Sequence, residues 1–98
     1  MNRNDAIASL KQHADAVKGM GATALYLFGS TARDEAGKTS DLDIFIDYDP
    51  YRSFSLIDLV GIKQLLEEQL DVEVDVTTRD SLHPMLRADI EGSAVRVF

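Results

Sequence analysis

Apolar and polar positions alternate along this chain in short, closely spaced blocks. Ile7, Leu10, Ala14 and Val17 fall three, four and three residues apart, which places them on one face of a helix over residues 4–18. Asn2 or Asn4 can cap its start, and Gly19 or Gly21 can end it. Residues 22–28, ATALYLF, are apolar at nearly every position. So short a run fits a strand covered on both faces or a buried helical piece, and its length and the Gly-Ser after it favour the strand. Residues 29–40 are polar and predict a connection with a short helical turn at Thr31 to Glu35. Residues 41–48, DLDIFIDY, alternate. Leu42, Ile44, Ile46 and Tyr48 share one face of a strand, and Asp41, Asp43, Phe45 and Asp47 the other. Asp49-Pro50 ends it.

The second half repeats this grammar. Leu59, Ile62, Leu66 and Leu70, broadened by Leu56 and Leu65, form the buried face of a helix over 55–70. Ser55 and Asp58 make an acidic version of the capping box. Gly61 in its interior costs about 1 kcal/mol against alanine, which close packing against a neighbour would justify. Residues 72–77, VEVDVT, alternate, with Val72, Val74 and Val76 opposite Glu73, Asp75 and Thr77. Ser81 and Pro84 suit the first turn of a helix over 82–91, with Gly92 beyond its end and AVRVF as a short edge strand. The order α-β-β-α-β-α-β predicts an α/β fold, a mixed β-sheet with packed helices in one domain over residues 1–98. Met85 and Phe98 read as packing residues, and His13 and His83 as surface or capping histidines.

Composition narrows the function. No apolar run approaches a membrane span, and the polar N-terminus is not a secretory signal. With no cysteine there is no disulfide, thiolate metal site or cysteine nucleophile, which suits a cytoplasmic protein. The net charge of −7 disfavours direct binding to nucleic acid, whose phosphates call for a basic surface. A metal-bound nucleotide or a basic protein partner suits it better.

The candidate chemistry sits where two strands begin and end. Strand parity puts Asp41 and Asp43 on one face, about 6–7 Å apart. Carboxylates that close repel each other, and either water at a solvated strand start or a divalent cation compensates them. Asp75, on the polar face of a strand of the same sheet, would complete an arrangement for one or two metal ions. Asp47 and Asp49 read as solvated acids of the strand end. Gly29-Ser30 is either a plain strand-ending turn or a phosphate-binding one. In the second reading glycine admits the backbone close to a phosphate, and Ser30 offers a hydroxyl and an N–H. The second glycine and Lys-Ser/Thr pair of a Walker loop are absent. Arg33 either reaches a phosphate or pairs with Asp34 or Glu35.

Gly29-Ser30, ten residues, then Asp41-x-Asp43 resembles the DNA polymerase β-like nucleotidyltransferase superfamily, and its minimal nucleotidyltransferase (MNT) branch more closely. ALYLFGSTAR, SDLDIFID, SLIDLVGIKQLLEEQL, DVEVDVTT and SLHPMLRADIEGSAVRVF occur in that family's order and spacing. The resemblance implies that Asp41, Asp43 and Asp75 bind Mg²⁺, as one or two ions, and form the catalytic triad. It also implies that Gly29 and Ser30 hold the triphosphate of ATP, with Arg33 beside them. Many relatives carry arginine and glycine where this chain has Thr31 and Asp34, so the phosphate contacts differ in detail. Small members of the branch resemble protein adenylyltransferases that act as antitoxins, moving AMP from ATP onto a tyrosine of a HEPN-family ribonuclease toxin. Only about two short elements follow the Asp75 strand, which predicts that a partner protein, in a hetero-oligomer, supplies the acceptor. An aminoglycoside-type small-molecule nucleotidyltransferase and an antitoxin that neutralises by binding alone are the competing readings.

Overall fold

A computed structural model describes residues 2–33 and 41–98. Its elements are α1 (Arg3–Gln12), α2 (Ala14–Gly19), β1 (Ala22–Phe28), α3 (Gly29–Ala32), β2 (Leu42–Tyr48), α4 (Leu56–Leu70), β3 (Val74–Thr78), a turn of 3-10 helix (Arg79–Ser81), α5 (Pro84–Ser93) and β4 (Val95–Arg96). The strands lie in the order β3-β2-β1-β4. β1 runs antiparallel to both β2 and β4, whereas β2 and β3 are parallel, so the sheet is mixed. Parallel neighbours need a crossover, and α4 provides it between β2 and β3.

The apolar positions of the strands converge on one side. Leu27, Ile44 and Val76 are cross-strand neighbours, and their side pairs with the fully buried Leu10, Val17, Ile62 and Leu66 of the helices. Ser55 caps α4 with a capping box: its side chain accepts from the Asp58 N–H, and the Asp58 carboxylate accepts from the Ser55 N–H. At Gly61 a Cβ would stand 2.7 Å from the Met20 methyl, the far end of a flexible side chain that can shift aside, so the packing is close without requiring glycine. The exposed edge of β3 is closed by α4: the Val74 N–H donates to Glu67, and the Val74 carbonyl accepts from Lys63.

Several expectations shift. The first helix breaks at His13 into α1 and α2, although its apolar spacing runs through the break. The one-turn helix after β1 starts at Gly29, two residues earlier than predicted, and the rest of the predicted turn, Asp34 and Glu35, lies outside the described residues. β3 begins at Val74, not residue 72, because Asp71 turns left-handed (φ 55°) to end α4. Gly92 lies inside α5, which runs on to Ser93. Leu56 is 73% exposed and Met85 83%, so neither packs in the core. Phe98 does pack against it, and His83 caps α5 through its ring nitrogen, which accepts from the Met85 N–H.

Candidate active site

β2 and β3 place two acids side by side. Their parallel register pairs Asp43 with Asp75, and partners in a sheet point to the same face. β1 is antiparallel to β2, so its C-terminal residue, Phe28, lies beside Asp43. The chain therefore enters Gly29 next to the acid. Gly29 adopts φ +75°, and an added Cβ would collide with the Asp43 carboxylate. Only glycine satisfies both the backbone angle and this approach. Ser30 follows in the first turn of α3, and Asp41 precedes β2 by one residue.

Charge on this face is one-sided. The Asp43 carboxyl is pushed above its ordinary value, first by burial, then by the negative charges of Asp75 and Asp41. The Arg33 guanidinium pulls it partly back. Asp41, Asp75 and Arg33 are exposed, while Asp43 is half-buried. Among the described residues no three acidic or histidine side chains are drawn tightly enough to form a ready-made metal cluster. The donors are nonetheless all carboxylate oxygens whose charges converge on Asp43, a set that suits a hard divalent cation. Thr31, one residue past Ser30, is 1% exposed and its hydroxyl makes no hydrogen bond. It therefore faces inward and does not extend the polar turn.

Sequence reasoning missed the other end of this face. Asp47 is not a solvated acid. Arg79 donates to both its carboxylate oxygens, from Nε at 2.8 Å and Nη2 at 3.1 Å, and to Glu91 of α5 at 2.7 Å. Arg87 adds a second bond to Glu91 at 2.8 Å. The Arg79 guanidinium lies 4.8 Å from the Tyr26 ring centre and 5.1 Å from that of Phe45, and the two rings stack at 4.8 Å. Nearby, Asp80 accepts from Tyr48 at 2.6 Å and Thr78 at 2.5 Å. The signal for Arg79 was its parity: it lies two residues beyond Thr77, the partner of Phe45, which brings it level with Asp47. That signal becomes readable only once the strand register is known.

Comparison with known proteins gives the family of the chain. Residues 10–97 match the family described as nucleotidyltransferase domain. The chain is 47% identical over 72 residues, 74% of its length and 75% of the relative's, to a Methanocaldococcus jannaschii protein named "Putative protein adenylyltransferase MJ0435". Among solved structures it resembles one described as a "putative minimal nucleotidyltransferase", with a TM-score of 0.82 and 32% identity over 97% of this chain and 95% of that one. It shares its fold with a Shewanella oneidensis MNT antitoxin solved in complex with a tri-AMPylated HEPN toxin. There the TM-score is 0.64 and the identity 19%, over 90% of this chain and 68% of that one.

Proposed function

The chain belongs to the nucleotidyltransferase domain family, and from that premise we propose that it transfers AMP from ATP to a protein. The acceptor in this reading is a tyrosine of a HEPN-family toxin, which makes the chain the antitoxin of the pair. The observation that carries it is the Asp43–Asp75 pairing, with Asp41 beside it, directly against the Gly29-Ser30 turn.

Each residue then has a role. The Gly29 backbone and the Ser30 hydroxyl and N–H bind phosphate oxygens, and Arg33 adds a positive charge to the same side. Asp41, Asp43 and Asp75 would hold Mg²⁺, one or two ions, which supplies neutralisation of the phosphate oxygens and a lower pKa for the acceptor hydroxyl. The acceptor oxygen forms a bond to the α-phosphorus in line with the departing group. The bond from that phosphorus to the bridging oxygen breaks, and pyrophosphate leaves with the electron pair. Asp75, exposed at the edge of the triad, or water takes the hydroxyl proton.

Relatives named as protein adenylyltransferases favour a protein acceptor over an aminoglycoside. The acidic chain suits a basic partner. Among the described residues no helix is long and apolar enough to cross a membrane, and the reaction proposed needs only cytoplasmic ATP. The test is incubation with ATP, Mg²⁺ and the cognate HEPN-family toxin, read by intact-mass spectrometry. One or more AMP increments on that protein are expected. No increment refutes the transferase reading.

A further inference from the structure

We propose that the outer edge of β3 docks the protein substrate, as an extended segment that pairs with Val76, carries the acceptor hydroxyl and bears lysine or arginine beside it. The proposal rests on the AMP-transfer reading for the identity of that substrate.

The backbone supplies the first observation. β3 is the outermost strand on its side of the sheet. The Leu42 N–H donates to the Glu73 carbonyl at 3.0 Å, so Glu73 turns its backbone toward β2. Backbone groups of successive strand residues point to opposite sides, so Asp75 and Thr77 also turn inward, and Val74, Val76 and Thr78 outward. α4 closes this edge at Val74 alone, where Glu67 and Lys63 take the N–H and the carbonyl. No described residue bonds to the N–H or carbonyl of Val76, or to the N–H of Thr78. Such groups stay unpaired only where water, or a further strand, reaches them.

Position supplies the second. The strand order sets three features in a row across the carboxylate face: the Gly29-Ser30 turn after β1, Asp43 on β2 and Asp75 on β3. In-line transfer puts the acceptor and the departing pyrophosphate on opposite sides of the α-phosphorus. With the triphosphate on the Gly29-Ser30 side, the acceptor arrives from the β3 side. A strand added about 4.8 Å beyond β3 brings it there. The residue of that strand opposite Val76 turns to the helical face. Those on either side of it lie beside Asp75 and Thr77, with their side chains on the carboxylate face.

Charge names the occupant. Glu68, Asp71, Glu73 and Asp75 follow one another from the end of α4 into β3, and all are exposed. None of them makes an ion pair or a side-chain hydrogen bond with a described residue. They differ in this from Asp47, Asp80 and Glu91 at the other end of the sheet, whose carboxylates are engaged. Lys63, the cation at this edge, is held by Glu67. A second copy paired along the same edge would set these acids against its own, and nucleic acid would be repelled by them. A basic protein segment gains at each.

The first test is residue-resolved hydrogen exchange by NMR, on the chain alone and with the cognate HEPN-family toxin in the absence of ATP. In the free chain the Val76 and Thr78 amides should exchange quickly, and those of Asp75 and Thr77 slowly. In the complex the Val76 amide should slow about tenfold or more. A Val76 amide already protected in the free chain would overturn the open edge. So would one left unaltered by a toxin that the chain binds and, given ATP, modifies; the transferase reading would then stand without it. The second test is Asp71→Asn with Glu73→Gln. Both positions are exposed, asparagine accepts the left-handed backbone of Asp71, and circular dichroism checks the fold. KM for the toxin should rise about fivefold and depend less on salt. Affinity for Mg²⁺·ATP and kcat at saturating toxin should stay unchanged. An unchanged KM would overturn the basic occupant. Self-association of the free chain that protects Val76 would overturn it in favour of a second copy. A chain that neither binds nor modifies the toxin would remove the transferase reading and this occupant together.

Discussion

The two ends of β2 and β3 carry the same residue type in opposite circumstances. At their start, Asp43 meets Asp75 and Asp41, and its carboxyl is pushed up by burial and by those like charges. At their finish, Asp80 and Glu91 each accept strong hydrogen bonds, from Thr78 and Tyr48 and from Arg87 and Arg79, and both are held below their ordinary values. Asp47 shares Arg79 with Glu91. Matched acids tie α5 and the 3-10 turn to the sheet, as structure. Unmatched acids store repulsion that a cation and a triphosphate would relieve, as a site. Direction of the shift, more than the presence of acids, separates the two regions.

The largest expected effect breaks the unmatched end. Asp41→Asn with Asp43→Asn removes the charges while keeping size, and AMP transfer to the cognate toxin should fall about a thousandfold or more by mass spectrometry. The urea midpoint should not fall, since repulsion is removed with the charge. Gly29→Ala should damage both activity and fold. It forces a side chain into left-handed backbone and against Asp43, at a cost of about 2 kcal/mol or more in urea unfolding.

At the matched end, Arg79→Met should do the reverse of the double asparagine variant. It strands Asp47 and Glu91 without their cation and thins the cover over Tyr26 and Phe45. Stability should drop measurably, by less than the cost of breaking a fully buried pair because this one is partly solvated. The affinity for Mg²⁺·ATP of the folded fraction should survive. Equal loss of stability and nucleotide affinity would erase the distinction between the two ends.

The smallest effect is a sign in the pH dependence. Asp80 and Glu91 bind protons less readily folded than unfolded, so they stabilise the fold above their ordinary values of 3.8 and 4.5. That contribution is lost as pH falls through their lower folded values. Asp43 runs the other way: it favours folding below 3.8, and this is lost as pH rises through its raised folded value. Urea midpoints measured across the acid range should therefore decline on acidification in the parent. Asp43→Asn should decline more steeply, because an acid that offsets the loss is gone. Parallel curves would show that folding does not raise the Asp43 carboxyl.

By itself the sequence determined what depends on neighbours along the chain. β1 was readable to the residue from its apolar run, and the Ser55–Asp58 capping box and the edge position of β4 from local patterns. The family was legible too, because Gly29-Ser30 and Asp41-x-Asp43 lie at a diagnostic separation in one stretch of chain. Strand parity put Asp43 and Asp75 on polar faces, but parity does not say which residues stand opposite. Only the tertiary structure decided that. The parallel register set Asp43 against Asp75, and the same register brought Arg79 level with Asp47 and so turned a solvated acid into a clamp for α5. Leu56 and Met85 mark the same boundary from the apolar side. Helical periodicity assigns a residue to a face, but whether a neighbour covers that face depends on where other elements pack, and here none of the described residues covers these two side chains.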